Sequence, residues 1–282
     1  EYWRMYPGLK EQVVEDMKKI ADRLSQKHNI VYPGLVETLD GADSVGKLFK
    51  REQIDIVIIS EGTYCPDYFV HQTLMHLPGD TPLICYASQA HSVLDFDSGY
   101  DQSLRNSGPM GLIQLTAGFR KMGKFDKYEV VAGAIDDDDV YADIDRYIQV
   151  FTTIKNLRHM TIGMIGHVFR GMYDFNFDKT SVTGKFGSHV MDINVDHLMK
   201  IFDENGDSDP RIKALYEKAK SEYTVVDLED DEIMRSAHLG ISLQDLIEVK
   251  ANASCYLGLS EILSNDQAIA VTEGDVLGCI IS

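Results

Sequence analysis

Ile54-Asp-Ile-Val-Ile-Ile59, running straight into Ser60-Glu-Gly-Thr-Tyr64, decides the fold class of this chain. A short β-branched run that is apolar at nearly every position reads as a strand buried on both faces. The polar, glycine-containing segment behind it is then the loop at the strand's carboxyl end. Pro82-Leu-Ile-Cys-Tyr86 repeats the pattern as a central strand, and Tyr128-Glu-Val-Val-Ala132 as another. Residues 29–36 read as one more strand. Between them the period changes. Residues 10–27 set Val13, Val14, Met17, Ile20, Ala21 and Leu24 on one helical face. Residues 41–51, opened by Asp40 or Asp43, then 68–76, 112–121 and 140–157 are helical too, and a Gly/Pro/Ser-rich connection covers 98–111. Strands alternating with helices predict a parallel sheet.

The last of these helices ends near residues 156–159, where a new strand, Met160-Thr-Ile-Gly-Met-Ile165, begins. The chain therefore divides into a domain over 1–157 and a second over 158–282, each expected to be a doubly wound, mainly parallel α/β domain. In the second, Ser188-His-Val-Met-Asp-Ile193 and Ala268-Ile-Ala-Val-Thr272 read as strands. Residues 195–203, 209–220, 230–239 and 243–249 read as helices, and 276–282 as the first turns of an apolar helix. Gly163, Gly166 and Gly171 do not have the spacing of GxGxxG, and Gly184-Lys185 lacks the Ser or Thr of a Walker loop, so nucleotide binding is not expected.

Composition narrows the function classes. With 44% hydrophobic and 26% charged residues the chain is an ordinary globular one. Its net charge of −18 argues against nucleic acid or an anionic membrane as partner, since both select basic surfaces. No apolar run approaches the ~18 residues of a membrane span, and the first residues do not resemble a signal peptide. Cys65, Cys85, Cys255 and Cys279 are scattered among apolar stretches with no CxxC, the pattern of buried thiols in a reducing, cytoplasmic setting.

Acids at strand ends are where open α/β sheets place ligands and metals. Glu248 closes an apolar run and Asp275 closes the strand at 268–272, a carboxylate pair suited to a hard cation such as Mg²⁺ or Mn²⁺. Two other acidic clusters read differently. Asp136-Asp-Asp-Asp139 lies between a strand and a helix, where aspartates cap amides and favour the helix dipole. Asp203-Glu-Asn-Gly-Asp-Ser-Asp209 lacks the sixth-position glycine and twelfth-position glutamate of a calcium loop. Among nine histidines there is no HExxH; His167 stands out because it occupies a glycine-rich loop at a strand end.

Four segments in order carry a family resemblance. Tyr2-Trp3 with Tyr6-Pro-Gly-Leu9-Lys10 resembles the stretch after the first strand of bacterial L-arabinose isomerases and their relatives. Gly111-Leu-Ile-Gln-Leu-Thr-Ala-Gly118 with Val130-Val-Ala-Gly133 is similar to their glutamine-bearing helix and next strand. Ile165-Gly-His-Val-Phe-Arg-Gly-Met-Tyr-Asp-Phe175 resembles the loop opening their second domain. Glu248 to Asn252 and Glu273-Gly-Asp275 resemble metal-binding segments of the L-fucose and L-arabinose isomerase superfamily.

The resemblance implies a divalent-metal aldose–ketose isomerase, typically manganese-dependent, of two α/β domains and a C-terminal β-barrel. It implies Glu248 and Asp275 as catalytic acids and metal ligands, Gln114 as a substrate contact reaching a neighbouring subunit's site, and Phe169 and His167 as further substrate-site residues. Ala117 stands where the arabinose isomerases carry a histidine, a departure that points away from arabinose. The family's first strand and barrel, with its histidine ligand, have no counterpart here, so this stretch is expected to be an incomplete, inactive part of a homo-oligomer. The chemistry suits the residue types: a divalent cation on two sugar oxygens acidifies the C–H and stabilises the enediolate while a carboxylate moves the proton. The alternative is a metal-independent sugar-binding module, with Tyr64, Tyr68 and Phe169 as its aromatic platforms.

Overall fold

A computed structural model describes residues 2–95, 99–166, 171, 176–206 and 208–250, together with the backbone of three strands between 255 and 281; side chains are described up to residue 247. The chain forms two compact units, Glu1–Thr152 and Thr153–Ser282. Both are α/β, with parallel strand pairing in each.

The first unit opens with helices α1 (Tyr2–Met5), α2 (Leu9–Leu24) and α3 (Leu39–Arg51). Strand β1 (Val57–Ser60), helix α4 (Tyr68–Leu74) and strand β2 (Leu83–Gln89) follow. Helices α5 (Tyr100–Arg105) and α6 (Gly108–Met122), strand β3 (Tyr128–Ala134) and helix α7 (Asp138–His159) complete the series. The sheet order is β1-β2-β3, all parallel, with Val57 opposite Leu83 and Leu83 opposite Tyr128. Alternation along β2 separates two cores. Ile84 and Tyr86 pack with Leu9, Val13 and Ile20 of α2 and with Val140 and Ile144 of α7. Leu83 and Cys85 pack on the opposite face with Leu74 of α4 and with Leu112, Leu115 and Phe119 of α6. Helices therefore cover both faces of the sheet, which is why its strands are apolar at successive positions.

Local chemistry sets the helix ends. Helix α3 is capped by Thr38, whose Oγ1 accepts from the Gly41 amide at 3.0 Å, and not by Asp40 or Asp43. Asp43 instead accepts from Lys47, Gln72 and His76. Within the acidic run, Asp137 accepts from the Asp139 amide at 3.0 Å and Asp138 pairs with Arg23, so these acids serve the start of α7. The strand expected over 29–36 does not form. Residues 29–37 make no backbone–backbone hydrogen bond among the described residues, and Pro33-Gly34, with Gly34 at φ 86°, interrupts them.

The second unit contains β4 (Thr161–Ile165), α8 (Lys179–Phe186), β5 (His189–Ile193), α9 (Val195–Asn205), α10 (Pro210–Glu222) and α11 (Asp230–Lys250). Strands β6 (Cys255–Leu259), β7 (Ala268–Val271) and β8 (Cys279–Ile281) close it. The order is β5-β4-β6-β7-β8; β4 runs parallel to β5 and β6, while β6–β7 and β7–β8 are antiparallel. The sheet is thus mixed where a mainly parallel one was expected. Each connection after β6 is shorter than the dozen or so residues a parallel crossover needs, so the chain turns back on itself. The helix expected over 276–282 is replaced by β8, whose Ile280 and Ile281 are β-branched residues suited to a strand. One core joins Ile165, Ile193, Leu198 and Leu246; another joins Ile212, Ala237 and Ile241. In the failed calcium loop, Asp209 caps α10 through the Arg211 amide at 2.9 Å, and Arg211 also grips Asp245. No helix among the described residues is long and apolar enough to cross a membrane.

Candidate functional site

The carboxyl ends of β1 and β2 gather the polar side chains of the first unit. Ser60 and Ser88, one residue on each strand, share a hydrogen bond of 2.7 Å that fixes the two ends together. Directly after Ser60, Glu61 turns into the gap between β1 and α6 and is only 4% exposed. Glycines make room for it. A Cβ at Gly108 would stand 1.9 Å from the Glu61 carbonyl oxygen, and one at Gly111 1.7 Å from its Oε2. Oε2 accepts weakly from the Cys65 amide at 3.4 Å, and Oε1 has no hydrogen-bond partner. Burial pushes this carboxyl up to about 7, with the nearby Asp67 charge adding to the rise.

Around Glu61 lies a connected polar chain. Tyr64 Oη donates to Gln114 Oε1 at 3.0 Å, and Gln114 Nε2 donates to Asp67 Oδ1 at 3.0 Å. His71 Nε2 lies 3.5 Å from the other Asp67 oxygen, and its ring meets Phe119 edge-on. His71 Nδ1 is buried without a hydrogen-bond partner. Ser107 holds the loop from beneath, accepting from the Tyr64 amide at 2.8 Å. Beyond β2, Asn106 clamps His91 by accepting from its amide at 3.0 Å and donating to its carbonyl at 2.7 Å. Gln114 is exposed, one helical turn beyond Gly111, so the chain Tyr64–Gln114–Asp67 faces solvent with Glu61 packed behind the same helix.

Such an arrangement handles hydroxyl groups. It offers a carboxylate acceptor, an amide that both donates and accepts, a phenol, and a carboxyl group able to exchange a proton near neutral pH. It does not offer a thiolate from Cys65 or Cys85. The Cys65 thiol is pushed up to about 12, chiefly by burial and then by Glu61, and Cys85 likewise by burial, so neither is a thiolate at neutral pH.

Of the site residues expected from sequence, Gln114 falls in this constellation. Glu248 lies in the last turn of α11 and not at a strand end, because the apolar spacing of Leu243, Leu246 and Ile247 continues the helix. Its side chain lies outside the described residues, as do His167, Phe169 and Asp275 entirely, so the implied Mn²⁺ ligands stay with the resemblance. Among the described residues no group of three or more His, Cys, Asp or Glu side chains is placed to hold a metal ion. Sequence reasoning passed over Glu61, Asp67 and His71. The signal for Glu61 was present, an acid immediately behind a buried parallel strand. Compared with models of known protein families and with curated proteins, the chain matches none.

Proposed function

We propose that this chain is part of an aldose–ketose isomerase of the L-arabinose and L-fucose isomerase kind. The first unit carries a sugar-contacting half-site, and the second carries the metal acids Glu248 and Asp275. The observation that carries the reading is Gln114 at the carboxyl edge of a parallel sheet, held between Tyr64 and Asp67. That is the residue to which the resemblance assigns substrate contact. In this reading both units are doubly wound domains, and Mn²⁺ on Glu248 and Asp275 polarises two sugar oxygens. His167 and Phe169 border the sugar. The cytoplasmic protein is a homo-oligomer in which Gln114 completes a neighbour's site, without nucleic acid or membrane as partner.

A metal-independent sugar-binding module is the second reading, favoured by the exposed Tyr68 beside the Tyr64–Gln114–Asp67 chain. Isomerase assays on the longest polypeptide encoded by the parent gene separate the two. Gln114→Ala is expected to lower kcat/KM by about 10- to 100-fold, the loss of a polar substrate contact, and Asp275→Ala to abolish Mn²⁺-dependent turnover. Unchanged turnover in Gln114→Ala removes the shared half-site. Sugar binding that ignores Mn²⁺, with no turnover, selects the binding module.

A further inference from the structure

Helix α6 meets the loop behind β1 at three places that differ in chemistry. At its start, the Ser107 hydroxyl accepts from the Tyr64 amide at 2.8 Å. Two turns along, Gln114 bridges to the same loop, accepting from Tyr64 Oη and donating to Asp67 Oδ1, each at 3.0 Å. Between these two contacts lies Glu61. A Cβ on Gly111 would stand 1.7 Å from Glu61 Oε2 and 2.9 Å from Oε1, so both carboxyl oxygens rest on the helix with no layer of water between. Cys65 supplies the hydrogen bonds to this carboxyl, through its thiol and through an amide 3.4 Å from Oε2. Oε1 has no hydrogen-bond partner among the described residues. A carboxylate stripped of water needs several donors, whereas the neutral acid needs few. The contact with α6 therefore fits the protonated form.

We propose that Glu61 is a positioning residue for the Tyr64–Gln114–Asp67 bridge: protonated it lets α6 seat on the loop and keeps the bridge closed, and ionised it parts the two. A carboxylate regains donors only by admitting water or by drawing the backbone apart. The segments able to yield are the loop at 61–67 and the first turns of α6, and they carry opposite ends of the bridge. With Ser107 as the pivot, an opening of about 0.5 Å at Gln114 takes both bonds to the limit of a hydrogen bond. The groups around Glu61 favour the same response. Asp67 adds a like charge from the loop, and the Cys65 and Cys85 thiols are kept protonated by burial. Helix α2 presents Val13 and Met17 beside Gly62, and α6 presents Gly108 and Gly111. On α4, His71 lies 3.5 Å from the far oxygen of Asp67. Burial sets the change of charge at about 7. Above that value the closed fraction falls about tenfold per pH unit, and with it the apparent affinity of any hydroxyl ligand that grips the closed bridge. That such a ligand is a sugar rests on the isomerase reading; the control of the bridge by Glu61 does not.

Nitrogen-15 NMR of the 1–282 chain tests the assignment without any sugar, so its outcome is separate from that of the isomerase assays. The Gln114 side-chain amide is identified by its loss in Gln114→Ala. Its solvent exchange, taken relative to free glutamine in the same buffer, is expected to rise about 10-fold from pH 6 to pH 8 as the neutral fraction of Glu61 falls. In Glu61→Gln, neutral at every pH, the relative rate is expected to stay flat at its pH 6 value. Histidine as a residue type changes charge in the same range, so His71→Gln serves as the control and is expected to keep the rise. In the unsubstituted chain the Glu61 carboxyl carbon-13 shift turns over at the same pH as the Gln114 exchange, a comparison that needs no variant to fold. A flat profile in the unsubstituted chain overturns the proposal, as does an undiminished rise in Glu61→Gln or its disappearance in His71→Gln. So does a Glu61 midpoint more than about one pH unit from that of Gln114.

Discussion

Glu61 is the residue whose environment has the clearest consequence. Its carboxyl sits against Gly111 with one oxygen unpartnered, and burial pushes it up to about 7 from an ordinary value near 4.5. The folded state therefore holds a proton that the unfolded chain releases between these two values. Stability from the neutral carboxyl is fully present below about 4.5 and is lost as pH rises through about 7. Glu61→Gln keeps the shape and removes the titration. Urea unfolding is expected to show the variant more stable than the parent at pH 8, by about 1–3 kcal/mol, and equal to it near pH 4.5. An unchanged difference across that range would mean that Glu61 is already solvated. A second buried acid differs in having a charged partner. Asp16, 3% exposed, receives Arg105 Nε at 2.8 Å and Nη2 at 2.9 Å. Arg105→Ala strands that carboxylate and is expected to cost about 3–5 kcal/mol, while Asp16→Leu with Arg105→Met recovers most of the loss in the same thermal-melt series. Both acids were visible in the sequence. Asp16 stands on the apolar stripe of α2, between Val13 and Met17, and a charge there demands a partner that periodicity cannot name.

At the level of elements, the contact of α6 with β1 decides the geometry of the candidate site. Helix α6 begins at Gly108, four residues earlier than its apolar pattern starts, because Gly108-Pro-Met-Gly reads as loop chemistry. Proline is accepted in a helix's first turn, and the glycines are there for proximity to Glu61. Gly108→Ala sets two effects against each other. Helix propensity favours alanine by about 1 kcal/mol, but its Cβ would meet the backbone carbonyl of Glu61 at 1.9 Å. Backbone cannot rotate away as a side chain can, so the clash wins. The variant is expected to be destabilised by about 1–3 kcal/mol in chemical unfolding, and a stabilised variant would show that α6 slides freely. The same level explains what sequence reading lost. A strand is a property of a pair, and residues 29–36 have strand composition without a neighbour among the described residues. Residues 276–282 have an apolar pattern too short to separate helix from strand, and the turn back from β7 resolves it as β8.

For the whole molecule, the α/β character was legible because apolar runs and helical periodicity alternate along the chain, whereas the antiparallel pairing of β6–β7 and β7–β8 was not. The position of the division was less legible, since α7 continues without a break through it. Of the proposed site, the part around Gln114 lies within the described residues, while the Glu248 side chain and Asp275 lie outside them. Whether the first half stands alone follows from where its cores are. Both clusters that cover its sheet draw only on residues up to Phe151, and both clusters of the second unit draw only on residues from Ile165 onward. Among the described residues these clusters have no member in common, and folding cooperativity follows shared burial. The cut belongs after His159 and not after Thr152, because Val140, Tyr141 and Ile144 fasten α7 to the first sheet and its last turn would otherwise lose its carbonyl partners. A fragment of residues 1–159 is therefore expected to fold in one cooperative transition and to lose stability from pH 4.5 to 7 as the full chain does, since Glu61 lies within the fragment with Cys65, Asp67, Gly108 and Gly111 around it. Circular dichroism melts across that pH range make the comparison. An unfolded fragment beside a folded full chain would mean that the second unit supplies stability that the apolar cores do not reveal.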